Sequence, residues 1–120
     1  MKVAVTAQGR ELNSPVDPRF GRAKFFVIVE TETGEFTAAD NTQNLNAVQG
    51  AGIQAGRNVV ELGVQSVITG HVGPKAFSTL QAGGVQIYTG ADGTVADAIE
   101  QFKAGRLKQA SGADVEGHWV

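Results

Sequence analysis

A chain of 120 residues with 42% hydrophobic and 18% charged side chains fits one globular domain with a core that needs no covalent staples. Its net charge of −2 argues against a nucleic-acid binder driven by overall charge. Having no cysteine, it can form neither a disulfide nor a metal site built on protein thiolates.

Two histidines, His71 and His118, are too few for a closed structural zinc site in a thiol-free chain. The N-terminal MKVAVTAQGR lacks a signal-peptide layout, and no stretch approaches the roughly 20 apolar residues of a membrane span. A soluble, cytoplasmic protein is expected. Glycine is unusual at 16 residues, well above the average of about 7%. These glycines sit at the edges of apolar segments, where tight turns and close backbone approach need a residue without a Cβ.

In chain order, Lys2 to Thr6 (KVAVT) reads as a first strand. Gln8 to Arg22 is a long loop, of a length often functional in small domains. Phe25 to Glu30 (FFVIVE) is a strong strand and Phe36 to Asp40 (FTAAD) a weaker one, joined as a hairpin around Gly34. Ala47 to Leu62 reads as a helix, with Ala47, Ala51, Ala55, Val59 and Leu62 on one face and Gly63 as its stop. Ser66 to Thr69 is a buried strand. Pro74 opens a second helix to Ala82, with Phe77 and Leu80 facing the core and Gly83 and Gly84 ending it. Val85 to Tyr88 is a fifth strand. Thr94 and Asp97 make a capping-box-like start to a third helix with a Val95, Ala98, Ile99, Phe102 stripe. Beyond Lys108 the pattern fades. The expectation is one α/β domain over residues 1–107, a five-stranded mixed sheet with three helices, and a flexible tail over 108–120.

Three segments stand out chemically. In SPVDPRFGR, Pro15 and Pro18 stiffen the loop, and Arg19 and Arg22 lie three apart around Gly21. Planar, weakly hydrated guanidiniums suit multi-oxygen or diffuse anions. An alternative reading has Asp17 pairing with one arginine while Phe20 caps the core. In TGHVGPKAF, a glycine-rich turn with Gly70 and Gly73 leads into a helix whose free N–H groups favour an anion, and Lys75 adds charge. His71 stands where ligands bind in open α/β sheets, although a lone histidine is more often structural or simply exposed. GAGIQAG formally fits the dinucleotide fingerprint at Gly50, Gly52 and Ala55, but no strand directly precedes it and no acidic residue follows about twenty positions on. A glycine-rich helix start, packed on the sheet or opening onto a ligand, fits better.

The segments MKVAVTAQG, VDPRFGRAKFFVIVE, GAGIQAG and GVQSVITGHVGPKAFSTLQAGGVQIYTG resemble the dinitrogenase iron–molybdenum cofactor biosynthesis family, across about residues 1 to 105. That family includes the X and Y accessory proteins and the C-terminal part of the B protein. Among single-domain members, the cysteine-free chain is similar to the orange-protein type of sulfate-reducing bacteria. The resemblance implies a ribonuclease H-like α/β fold and carriage, without catalysis, of a noncovalently held molybdenum–copper sulfide cluster or an iron–molybdenum cofactor or its precursor. It also implies partner proteins for delivery or regulation. Such a cluster brings its own sulfide and net negative charge, so backbone N–H groups and a few cations suffice. The expected cofactor-binding set is Arg19, Arg22, Gly50, Gly52, Gly70, His71, Gly73 and Lys75, with His71 the candidate metal ligand. The alternatives are a regulatory interaction module without a cluster and, ranked last, an enzyme acting on a phosphorylated small molecule.

Overall fold

The computed structural model describes residues 1–41 and 50–114. The strands are β1 (Lys2–Ala7), β2 (Phe25–Glu30), β3 (Phe36–Asp40), β4 (Ser66–Ile68), β5 (Gln86–Thr89) and β6 (Lys108–Gln109). Helices α1 (Ala51–Glu61), α2 (Pro74–Ala82) and α3 (Val95–Lys103) pack on the sheet, with a 3₁₀ turn at Phe20–Arg22. The sheet runs β3-β2-β1-β4-β5-β6. Strands β4 and β5 continue β1 in parallel, and β2 lies antiparallel between β1 and β3. Among the described residues the sheet therefore has six strands, correcting the expected five.

The sixth strand falls in the segment where the sequence pattern fades. Lys108 pairs with Thr89 and Gln109 with Tyr88, antiparallel. A two-residue strand has no periodicity to detect; it forms because the β5 edge offers unpaired backbone groups.

Alternation along β1 sends side chains to two cores. Val3, Val5 and Ala7 join Val27, Val29 and Ile68 beneath α3. Ala4 joins Phe26, Val67 and Ile87 beneath α1 and α2. Helices on both faces explain why β1 is buried from Val3 through Ala7. On α2, Leu80 is fully buried and Phe77 half-buried, with Ala76 a further core residue. On α1 the buried residues are Gly52, Ala55, Gly56 and Val59, so the packed face is turned from the expected stripe toward its glycines. The expected N-terminal extension of this helix, from Ala47, lies outside the described residues, and Gly50 is the N-cap.

Gly56 shows why this face is so small. A Cβ there would come within 2.8 Å of Thr79 Cγ2 on α2, so the two helices approach through their small residues. Helix α1 ends at Gly63, whose φ of +73° only glycine adopts without strain. No described helix is long and apolar enough to cross a membrane.

Candidate functional site

The loop after β1 is held in two halves. Its first half is laced to the start of α3: Val16 N–H donates to Gly93 O, and the N–H groups of Val95 and Ala96 donate to Ser14 O and Leu12 O. Its second half crosses the C-terminal end of β4. There His71 N–H donates to Pro18 O at 2.8 Å and Phe20 N–H donates to His71 O at 3.2 Å. Deeper, Asp17 N–H donates to Thr6 O, and the Thr6 hydroxyl bridges Asp17 O and Thr69 Oγ1 at 2.8 and 2.9 Å. These buried polar contacts satisfy the strand ends and fix the loop's height above the sheet.

Phe20 is fully buried against Phe26, with ring centroids 5.9 Å apart. Its flanking residues Arg19 and Arg22 are exposed. The loop is thus pinned by an aromatic anchor and two prolines, with Arg19 and Arg22 flanking the anchor at the surface. Asp17, itself buried, accepts the main-chain N–H of Arg19 at 3.0 Å, capping the turn from within. Among the described residues, no carboxylate lies within ion-pair distance of Arg19 or Lys75.

Three segments far apart in sequence meet here. A Cβ on Gly70 would lie 2.7 Å from both Cα and O of Pro18. One on Gly21 would lie 3.0 Å from Gly52 N, and one on Gly52 would lie 3.3 Å from Ala76 Cβ. The loop, the start of α1 and the start of α2 therefore touch through glycines. Gly52 and Gly70 serve this close approach, whereas a Cβ on Gly50 would meet only open space.

Both helix starts have glycine N-caps, Gly50 and Gly73, which bring no side-chain oxygen. The first intrahelical bonds are those of Gln54 N–H to Gly50 O and Phe77 N–H to Gly73 O. Among the described residues, the N–H groups of Ala51, Gly52, Ile53, Lys75 and Ala76 are paired with no acceptor. Two positive helix ends, with Lys75 at the second residue of α2, thus open beside the Arg19–Arg22 turn. A carboxylate already rests at the margin: Asp114 Oδ1 accepts Val72 N–H at 2.7 Å and its Oδ2 lies 2.9 Å from His71 Nδ1. Among the described residues, no three His, Cys, Asp or Glu side chains gather as a metal-ion site.

Sequence reasoning missed Asp114 and the Thr6–Thr69 pair. The threonines left a trace, since the runs KVAVT and SVIT each carry a hydroxyl at the C-terminal end of an apolar strand. Asp114 left none, being 43 residues from His71 in the chain.

The apo form of the orange protein from Desulfovibrio gigas superimposes with a TM-score of 0.89 and 39% identity, over 95% of this chain and 96% of that one. A putative NifB protein from Thermotoga aligns with a TM-score of 0.79 and 36% identity, over 97% and 98% of the two chains. An uncharacterized protein of Methanocaldococcus jannaschii is 30% identical over 111 residues, 91% of each chain. Residues 1–105 match the family described as Dinitrogenase iron-molybdenum cofactor, and the chain, with its glycine-capped helix starts beneath a proline-stiffened basic loop, belongs to that family.

Proposed function

We propose that this protein is a carrier that holds an anionic metal–sulfur cluster as cargo at the end of the sheet where the Pro18–Arg22 loop meets the starts of α1 and α2. One observation carries the reading: two side-chain-uncapped helix N-termini and a basic loop converge at one place. Membership of the iron–molybdenum cofactor family and the likeness to the orange protein support it.

The donor set fits such cargo better than a bare cation. A preassembled sulfide cluster needs N–H donors, nearby positive charge and room, all of which the site offers. Arg19, Arg22 and Lys75 would supply charge, and Gly73 and the first turns of α1 and α2 the N–H groups. Open space at Gly50 leaves the backbone approachable. His71 would reach a metal of the cluster. We propose a molybdenum–copper sulfide cluster as the cargo, with an iron–molybdenum cofactor or precursor as the alternative, and partner proteins that receive it.

No covalent chemistry on the cargo is needed for this task, and a non-catalytic role follows. The β3-β2-β1-β4-β5 order, with β2 alone reversed among these five, supports a ribonuclease H-like fold. The binding domain would take in residues 1–107 together with β6 and the segment that reaches His71 at Asp114.

Anaerobic titration with tetrathiomolybdate and copper(I) should give a coloured, stoichiometric complex. Replacing both Arg19 and Arg22 by alanine should weaken it, more at low than at high ionic strength, because salt screens exposed charge over about 10 Å at 0.1 M. Colourless wild-type protein would refute the cargo, and unchanged affinity in the double variant would remove the loop from the site.

A further inference from the structure

Beyond β6 the chain arches back over the end of the sheet. Ala110 N–H donates to Ile87 O, and the next main-chain bond runs from Asp114 N–H to Val72 O at 3.0 Å. Between these points the N–H groups of Ser111, Gly112 and Ala113 have no acceptor among the described residues. The arc also stands off the body, for a cavity of about 280 Å³ is lined by residues 110–114, Thr89 and Lys108. Residues 110–114 thus form a strap held at two ends and loose in the middle, an arrangement that can open without disturbing the core.

The second end is a clip. Asp114 takes both main-chain groups of Val72: its N–H donates to Val72 O, and its Oδ1 accepts Val72 N–H at 2.7 Å. Val72 is fully buried and immediately precedes Gly73, the N-cap of α2. The clip therefore places a carboxylate at the positive end of a helix whose own first turn has no acidic residue. Its Oδ2 lies 2.9 Å from His71 Nδ1, and the main chain of His71 is bonded to Pro18 and Phe20 of the basic loop. With 35% of its side chain exposed, Asp114 is reachable from solvent.

Resting on the cargo reading above, we propose that Asp114 is an internal counter-anion: its carboxylate holds the strap closed at the margin of the site in the unloaded protein, and the anionic cargo expels it, releasing residues 110–114. Cargo and carboxylate share one sign and are drawn to the same positive helix end, so each lowers the other's affinity for it. Binding is thereby weakened by a charge that the protein itself supplies, which suits a carrier that must hand its cargo on. A purely structural clip predicts the reverse sign. Its loss would loosen the turn that carries His71 and Gly73, and uptake would weaken.

The test titrates the whole chain with tetrathiomolybdate and copper(I). Asp114→Ala should bind about two- to fivefold more tightly than wild type, the worth of one charge at a helix end. Asp114→Asn keeps an acceptor for Val72 N–H without the charge, and it should also bind more tightly. Both gains should shrink at high ionic strength. Hydrogen exchange read by mass spectrometry adds a measurement that needs no cargo. In unloaded protein Asp114→Ala should speed exchange across residues 108–114, and wild type should show the same change on loading. Either variant binding no more tightly than wild type overturns the proposal, as does a strap that stays protected in the coloured wild-type complex; both results leave the cargo reading intact. Unchanged exchange in the unloaded Ala variant overturns the clip whether or not cargo binds. No colour in wild type or in either variant overturns the cargo reading itself, and the proposal with it.

Discussion

Helix α3 begins very differently from α1 and α2. Every N–H of its first turn has a partner: Val95 and Ala96 donate to Ser14 O and Leu12 O, Asp97 to Thr94 Oγ1, and Ala98 to Thr94 O. Asp97 returns the bond by accepting Thr94 N–H at 3.0 Å, and its negative charge sits against the helix dipole. Helices α1 and α2 have glycine N-caps and no acidic residue in the first turn. The same physical problem, unsatisfied donors at a positive helix end, is solved internally at one place and left open at two others, where we propose that the anionic cargo sits. The start of α3 is closed by its own Thr94 and by the Leu12 and Ser14 carbonyls of the loop after β1. The starts of α1 and α2 stay open and are held in place through Gly52 and Ala76.

The comparison can be broken most severely at Gly70. Gly70→Ala would drive a Cβ to 2.7 Å from the Pro18 backbone, which cannot rotate away. Overpacking of this kind costs about 1–3 kcal/mol, so thermal unfolding should occur earlier and cargo uptake should fail with the displaced loop. Uptake equal to wild type would mean that the loop is not part of the site.

Closing an open helix should have the opposite signature. Gly50 has β-region dihedrals and free space around its missing Cβ, so Gly50→Asp can cap α1. Stability should hold or rise by a few tenths of a kcal/mol. Thiomolybdate–copper uptake should fall roughly tenfold, since a charge at a helix terminus is worth up to about 2 kcal/mol. Tight binding by this variant would assign the anion to α2 alone. Opening the closed helix is the mirror test. Thr94→Ala should lose about 1 kcal/mol in chemical denaturation and leave uptake unchanged.

The smallest expected effect lies at the far end of the sheet and serves as a control. The N-terminal ammonium donates to Glu30 Oε1 at 2.6 Å and Glu32 N–H donates to the same oxygen, which together lower the Glu30 pKa. A lowered carboxylate pKa stabilises the fold above the unfolded value of about 4.3, and the contribution disappears as pH falls through the folded value. Glu30→Gln should therefore flatten the acid limb of the stability profile slightly and leave cargo uptake untouched.

The sequence read best where one physical rule acts locally. Phe25–Glu30, Phe36–Asp40 and Pro74–Ala82 were legible to the residue, because an apolar run, an alternation or an opening proline needs no distant partner. The Thr94–Asp97 capping box was legible for the same reason. The glycine-rich starts of α1 and α2 could be read, but not that they touch through Gly52 and Ala76. Arg19 and Arg22 could be read as a basic turn. Its Asp17, weighed in sequence as an arginine partner, turns out to accept a backbone N–H.

From residue order alone came the elements, the family and the suspicion of an anion-binding loop, since these depend on periodicity, turn chemistry and local charge. Tertiary structure alone decided that Gly21, Gly52 and Gly70 are contact points between segments, that β6 completes the sheet, and that Asp114 reaches His71. Such contacts join residues tens of positions apart, and a missing Cβ or a lone carboxylate acquires meaning only from what the fold brings against it.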